Sequence, residues 1–391
     1  MTHILVECTA LIASVRVGVL QPLQPLVDAK WCDVRYVNTK DISKRDIAWC
    51  DVYISVRGGD MASRYAASIA KKMEKFLVYF LDDDLLNIPE DIEVSKYYND
   101  PMGRKSLQDI VEFSDVLWAV NHRILEKYGL SCTRKVVSNV PAIPLKKPEV
   151  SSAGKCHILY AGSMSHTTMI QKKIAPVVMR LLKEYPDKVD FTFIGADPGI
   201  QRIKGVECFP YFDSYEDYQK KMLRGGFQIG LAPGIRTPFF SCKYYNKFIE
   251  YSTYGIVGIY DDCAPFTDIV RNGINGVLCG EDAEEWYLAL KKLIDDEGRV
   301  FKMAEVAQSQ LSSEFSPDTI AKKLAQDIPE LIEYHSKAIN PNDVKMKSMK
   351  RIYIQERFGR YWRLYGLKSF VVIPFKAVRK LCYGIRQKVS V

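Results

Sequence analysis

The chain has 391 residues, 47% of them hydrophobic and 26% charged, with a formal net charge of +8 at pH 7. That length exceeds one typical core and points to two domains, and the composition is that of a globular protein and does not indicate disorder. No uncharged apolar run reaches the roughly 18 residues that span a bilayer, and ten scattered cysteines and five dispersed histidines form no CxxC pair or zinc pattern, so reduced thiols in a cytosol fit best.

The first residues, MTHILVECTALIASVRVG, lack a basic leader and carry Glu7 and Arg16 within their apolar part. They read as a first strand and the start of a helix, not as a signal peptide. Strands are predicted at residues 4–8, 34–37, 52–56, 76–81, 116–120 and 135–138, with helical patterns at 17–28, 61–74, 106–113 and 122–128. Residues 141–155, PAIPLKKPEVSSAGK, have the composition of a linker. Alternation then restarts, with strands at 157–160, 191–194, 206–209, 228–231, 256–260 and 276–279. Helices fit 169–184, 215–223, 242–254, 266–271, 283–295, 299–314 and 317–333. Both halves therefore predict an α/β protein of parallel sheets flanked by helices, with ligands at the carboxyl ends of the strands. The predicted division is a first domain over 1–140, a linker over 141–155, a second domain over 156–340 and a tail over 341–391.

In the second half, the strand at 157–160 runs into a turn holding Gly162, Ser163 and His166. Small residues there let the backbone approach an anion, and His166 offers a hydrogen bond to a phosphate or a sugar hydroxyl. A serine cap on the following helix is the structural alternative. Neither GxGxxG nor GxxxxGK[ST] occurs in these turns, which argues against a dehydrogenase or an NTPase. Within 242–254, Lys243, Lys247 and Glu250 fall at i, i+4 and i+7 on one helical face, opposite Tyr245, Phe248, Ile249 and Ser252. Lys243 in the first turn suits a phosphate, and Glu250 suits hydroxyls of a sugar or ribose. Taken alone, that helix is better read as an ordinary one with solvated lysines.

In the first half, FLVYFLDDDLLN (76–87) places Asp82, Asp83 and Asp84 just past an apolar strand. Such carboxylates hold a divalent ion, contact a substrate in a cleft, or make an Asx turn with Asn87. DVYISVRGG (51–59) puts Arg57 before Gly58 and Gly59, with a pair to Asp60 or Asp82 as its structural alternative. SDVLWAVNH (114–122) ends a strand on Asn121 and His122.

Four stretches stand in order at fitting distances: ILYAGSMSH (158–166), FQIGLAP (227–233), SCKYYNKFIEYSTYGIVGIYDD (241–262) and IVRNGINGVLC (269–279). Together they resemble the donor-binding half of the retaining GT-B glycosyltransferases known as family 4, in particular a bacterial subgroup with CKxxxKxxEY often encoded in cell-surface polysaccharide loci. The resemblance covers residues 156–335 well and the first domain more loosely. It implies a GT-B fold, two Rossmann-like domains with parallel sheets facing across a cleft. It also implies transfer of a sugar from a nucleotide-sugar donor to a glycan or lipid-linked glycan, with retention and with no metal or other cofactor.

By the same resemblance, Glu250 binds the donor ribose and Lys243 and Lys247 neutralise the diphosphate. Gly162, Ser163 and the backbone amides around Phe240 and Ser241 complete the donor side. Asp83 and Asp84, which resemble an acidic element on the acceptor side, join His166 as candidate catalytic side chains. Arg57, Gly58 and His122 are candidate acceptor-side contacts. One departure stands out: many members carry a second glutamate eight positions before the ribose glutamate, where this chain has Cys242. Two alternatives stay open, a metal-dependent GT-A-type glycosyltransferase using Asp82, Asp83 and Asp84, and a non-catalytic nucleotide-binding subunit.

The positive charge is uneven. Residues 341–391 hold seven Lys and six Arg against Asp343 and Glu356, so the rest of the chain is net acidic. Basic residues alternate there with Phe358, Tyr361, Trp362, Phe370 and Phe375, which predicts cationic amphipathic helices broken near Gly366 and Pro374. An anionic membrane surface is the expected partner of part of this tail, at ~1 kcal/mol per cation, and packing on the first domain is the alternative. Nucleic acid is not expected, because no recognition module accompanies the basic residues. A cytoplasmic protein, peripheral on the inner face of the plasma membrane, is the expected location.

Overall fold

The computed structural model describes residues 1–90, 92, 95–132, 134–149 and 154–366. Tail residues 367–391 and residues 150–153 of the expected linker lie outside them. Among the described residues, twelve strands form two six-stranded sheets. The first holds β1 (Thr2–Cys8), β2 (Cys32–Asn38), β3 (Val52–Val56), β4 (Phe76–Leu81), β5 (Val116–Ala119) and β6 (Arg134–Val137), in the order β2-β1-β3-β4-β5-β6. The second holds β7 (Cys156–Ala161), β8 (Val189–Ile194), β9 (Val206–Phe209), β10 (Ile229–Ala232), β11 (Val257–Asp261) and β12 (Val277–Cys279), in the order β12-β11-β10-β7-β8-β9. Every neighbouring pair is parallel. All twelve strands fall on runs predicted from the sequence.

Parallel strands covered by helices on both faces need apolar residues at successive positions. Every residue of β3, β5, β10 and β11 is accordingly buried. In β7, Ile158 and Tyr160 enter one core cluster with Phe191, Phe193 and Trp286, while Leu159 and Ala161 enter another with Phe248 and Tyr251. The period-two alternation of a strand thus fills both layers of the second sheet.

Two compact units contain these sheets. The first comprises Met1–Ala119, Ile124–Val137 and the chain from Leu324 onward, and the second comprises Val120–Arg123 and Ser138–Lys323. Residues 324–340, placed with the second domain by sequence, therefore group with the first unit. The helix Met349–Tyr365 packs there against the helix Met61–Lys72. Glu356 accepts a hydrogen bond from the Met61 amide at 2.8 Å, beside the Asp60 cap. Arg363 forks onto Asp100 at 2.8 and 2.9 Å, the cap of the helix Pro101–Phe113. No helix among the described residues is long and apolar enough to cross a membrane.

Three helix predictions need correction. Residues 242–254 form not one helix but a short turn, Pro238–Ser241, and a separate helix, Asn246–Thr253. The Thr237 hydroxyl caps the earlier turn by accepting from the Phe240 amide at 3.1 Å, and Tyr245, at φ −76° and ψ 50°, leaves the helical path. Lys243 consequently lies between the two, outside any first turn. The predicted helix over 266–271 is a single 3-10 turn, Phe266–Asp268. The one over 317–333 is broken at Pro329 into Pro317–Asp327 and Glu330–Glu333, as a proline inside a helix dictates.

Candidate functional site

In the second sheet β7 lies between β8 and β10, and the chain returns from β9 to start β10 on the other side of β7. Such a reversal opens a crevice at the carboxyl ends of the strands. Gly162 follows β7 directly and donates its amide to the Ile194 carbonyl at 3.0 Å. A Cβ on Gly162 would lie 2.3 Å from the Tyr160 hydroxyl, so any side chain here would force that ring or the turn to shift. Ser163 caps the next turn, its Oγ accepting from the Ser165 amide at 3.2 Å. The structural alternative of a serine cap is thus present at a residue that also faces the crevice.

A pocket of about 580 Å³ opens at this point, lined on one side by Gly162 and Ser163, on another by Tyr211–Tyr215 and Tyr218, and by Lys247 and Glu250. Glu250 accepts from the Tyr218 hydroxyl at 2.6 Å with one carboxylate oxygen, and its other oxygen pairs with Lys247. Burial and the neighbouring Glu250 charge push the Tyr218 phenol well above its ordinary pKa, so it remains a donor at every physiological pH. Tyr211 and Tyr215 stand at the rim, 70% and 72% exposed. A carboxylate beneath open aromatic rings, with a lysine beside it, suits a ligand that combines vicinal hydroxyls, a flat ring and an anion.

His166 joins this site electrostatically. Its Nδ1 lies 2.9 Å from the Tyr160 hydroxyl. Burial, then the charges of Lys247 and Lys243, hold the imidazole below its ordinary pKa, so the ring is neutral at pH 7. The Lys243 ammonium sits 4.5 Å above the Phe239 ring. Asn121, which groups with this unit, donates to the carbonyls of Ser241 at 3.3 Å and Lys243 at 3.1 Å and fixes that segment.

Not every donor-side expectation fits. The amides of Phe240, Ser241, Cys242 and Lys243 already donate within their own turn, to the Thr237 hydroxyl and to the carbonyls of Thr237, Phe239 and Phe240. The Ser241 hydroxyl likewise donates to the Pro238 carbonyl at 2.8 Å. Phe240 and Ser241 are therefore not the phosphate-cradling amides expected from sequence, because a capped turn consumes the donors. Cys242 is fully buried at the position where many members of the expected family carry a glutamate.

The sequence reading missed Asp261. This carboxylate, 1% exposed, ends β11 and accepts from the Gly234 amide at 3.3 Å, from Lys173 at 2.9 Å and from two nitrogens of Arg236 at 3.2 and 2.9 Å. It fixes the loop between β10 and the Pro238 turn. Its place as the first acidic residue after a buried strand was a usable signal. The aromatic wall was missed too, since Tyr211, Phe212 and Tyr215 surround a helix start and follow no periodic pattern.

The first unit holds the remaining candidates except His122. Asp84 is fully buried; its oxygens accept from Tyr128 and from Asn87 at 2.8 Å and pair with Lys127. It is a structural anchor, which corrects its assignment as a catalytic contact. Asp83 is half-buried, with one oxygen accepting from the Asp84 amide at 3.2 Å. Asp82 pairs with Arg57 at 2.9 Å, the partner foreseen in the structural alternative for that arginine. Burial pulls the Arg57 guanidinium down, but Asp82, Tyr98 and Asp83 outweigh it and leave its pKa raised. Arg57 holds a left-handed φ of 55°, and its side chain also donates to Ser14 at 3.0 Å. Gly58 is buried, and a Cβ there would meet the Ser55 hydroxyl at 2.6 Å. His122 is exposed at the start of the helix His122–Tyr128 and groups with the second unit. Beneath Gly58, the fully buried Glu7 accepts from Ser55 at 2.6 Å, from Ser63 at 2.8 Å and from Thr39.

No family model and no curated protein matches the chain. Solved structures do. HepE of Anabaena, solved with UDP and glucose, aligns over 85% of this chain and 100% of its own at a TM-score of 0.59 and 15% identity. The fold is GT-B. The lipopolysaccharide outer core galactosyltransferase WaaB, in its apo form, matches over 84% of this chain and 99% of its own, at a TM-score of 0.56 and 15% identity. A GT-B chain is not a GT-A one, so the alternative of a GT-A-type enzyme using Asp82, Asp83 and Asp84 is set aside. The GT-B fold by itself does not fix a reaction. A protein assigned as a UDP-N-acetylglucosamine 2-epimerase from Listeria monocytogenes also matches, over 85% of this chain and 97% of its own, at a TM-score of 0.53 and 12% identity.

Proposed function

We propose that this GT-B protein is a glycosyltransferase that moves a sugar from a nucleotide-sugar donor to a glycan or lipid-linked glycan in cell-surface polysaccharide synthesis, with retained configuration and no bound metal or other cofactor. The observation that carries the reading is Glu250 at the foot of the pocket, with Tyr218 on one oxygen and Lys247 on the other. In this reading the ribose hydroxyls bond to Glu250, the base lies along the wall of Tyr211–Tyr215, and the diphosphate reaches Lys243, Lys247 and His166. As the bond between the anomeric carbon and the diphosphate oxygen breaks, the lysines stabilise the departing charge. The acceptor oxygen bonds to the same face of the sugar, and its proton passes to the leaving diphosphate. The complexes of HepE with UDP and with UDP-glucose support a uridine donor.

Calorimetric titration with UDP and UDP-sugars in the presence of EDTA tests the proposal, followed by assay of UDP release with glycan acceptors. Saturable UDP binding that Glu250→Ala weakens about a hundredfold is the expected result. Unchanged affinity in that variant would remove the ribose role and the reading with it. A second reading, a nucleotide-binding subunit without turnover, draws on Cys242, buried where a glutamate is common in the resembling family. Tight UDP-sugar binding with no sugar transferred to any acceptor would favour it.

A further inference from the structure

The Tyr160 side chain, at the carboxyl end of β7, is 2% exposed and held from two directions. Its ring packs 6.0 Å from that of Phe193 on the neighbouring β8, and the missing side chain of Gly162 leaves room for its hydroxyl. That hydroxyl lies 2.9 Å from His166 Nδ1 and has no other hydrogen-bond partner among the described residues. Two proton arrangements fit the contact. With the proton on Nδ1 donating to the phenol oxygen, the phenol's own O–H would be buried without an acceptor, a costly state. With the phenol donating, the Nδ1 lone pair accepts, both groups are satisfied, and the ring proton sits on Nε2. Burial raises the Tyr160 phenol pKa, so its O–H is kept at every physiological pH. Burial, then the charges of Lys247 and Lys243, disfavour a second proton on the imidazole.

We propose that Tyr160 is a positioning residue that fixes His166 as the Nε2–H tautomer, so that the ring meets a phosphate oxygen of the donor as a hydrogen-bond donor and not as a base. The phosphate as recipient rests on the nucleotide-sugar reading above, whereas the tautomer rests on the Tyr160 contact alone. Both ring nitrogens are then occupied, Nδ1 by the phenol and Nε2 by its own proton. A ring so fixed has no lone pair left to take the proton of an acceptor hydroxyl. That proton goes to the leaving diphosphate, and His166 serves by offering an N–H to anionic oxygens. The turn holds the ring from its other end, where the Ser163 hydroxyl caps Met164–His166 by accepting from the Ser165 amide. A glutamine in place of His166 keeps an N–H close to the Nε2 position, and an alanine keeps none.

Proton–nitrogen correlation spectra of the ligand-free, full-length protein, labelled on the histidine nitrogens, test it, with His166→Gln identifying the resonance. Where the ring is neutral, the parent should show the Nε2–H tautomer alone. This spectrum needs no substitution at Tyr160, so it decides the tautomer whatever a variant does to folding. In Tyr160→Phe the two nitrogen shifts should draw together as the Nδ1–H form becomes populated, and UDP should bind roughly threefold to tenfold more weakly. His166→Gln should bind UDP within about twofold of the parent, and His166→Ala about tenfold more weakly. An Nδ1–H tautomer in the parent, or unchanged nitrogen shifts in Tyr160→Phe, would overturn the inference. So would equal losses of UDP affinity in His166→Gln and His166→Ala. Absence of UDP binding in the parent would overturn the nucleotide reading and the phosphate recipient together, and the spectra would still decide the tautomer.

Discussion

The Tyr218 hydroxyl donates to Glu250 at 2.6 Å across two helices separated by 32 positions in sequence. Removing this donor frees one carboxylate oxygen without removing the carboxylate. The bond also holds that carboxylate in place, so Tyr218→Phe should weaken UDP binding by about tenfold or less, through lost positioning. Glu250→Ala should cost more, about a hundredfold. Calorimetry on both variants checks the order.

Burial, then the charges of Lys247 and Lys243, keeps the His166 imidazole below its ordinary pKa. Because the folded value is lowered, the ring stays neutral as pH falls through 6.5 and protonates only below it. Lys247→Gln should move its titration upward, toward the ordinary value. Proton NMR titration of the five histidines, with His166→Gln to assign the resonance, reads the shift directly.

Asp84 is buried with Lys127, Tyr128 and Asn87 as partners. Asp84→Ala strands a half-exposed lysine and two polar donors and should destabilise the protein by about 2–3 kcal/mol. UDP affinity should stay within about twofold, since every residue lining the Glu250 pocket belongs to the other unit. Chemical denaturation beside UDP titration separates the two effects. A variant of full stability with lost turnover would restore the catalytic role.

Burial raises the Glu7 carboxyl to about 7, against the hydrogen bonds from Ser55 and Thr39 that lower it, with Asp60 raising it further. A carboxyl raised on folding contributes full stability below its unfolded value near 4.5 and loses it as pH rises to about 7. The penalty above that window is on the order of 3 kcal/mol. Glu7→Gln should cancel this dependence, so the variant gains on the parent between pH 5 and pH 8 in urea unfolding.

The sheets were legible because buried parallel strands are nearly continuous apolar runs, as Phe76–Leu81 and Val257–Asp261 show. Lys247 and Glu250 were legible because one helix carries both. Lys243 was misplaced, since periodicity is blind to the cap at Thr237 that ends one turn and forces the next helix to start later. Asp84 was misread because its partners lie 43 and 44 positions away and become neighbours only when β4 and β5 pair. The tail resisted for a similar reason: composition announced a cationic amphipathic helix, but only contacts with Met61 and Asp100 show which side faces inward.

The boundaries of the two units have a temporal consequence. The chain passes between them at 119/120, 123/124, 137/138 and 323/324. A ribosome delivers the amino terminus first, so the unit begun earliest is completed last. Until residues beyond Leu324 emerge, the amide of Met61 lacks Glu356, Asp100 lacks Arg363, and one side of the helix Met61–Lys72 has no cover. The second unit, whole once residue 323 is free, can fold ahead of it. Premature termination anywhere past that point would release a protein with an intact Glu250 pocket and an unfinished first unit.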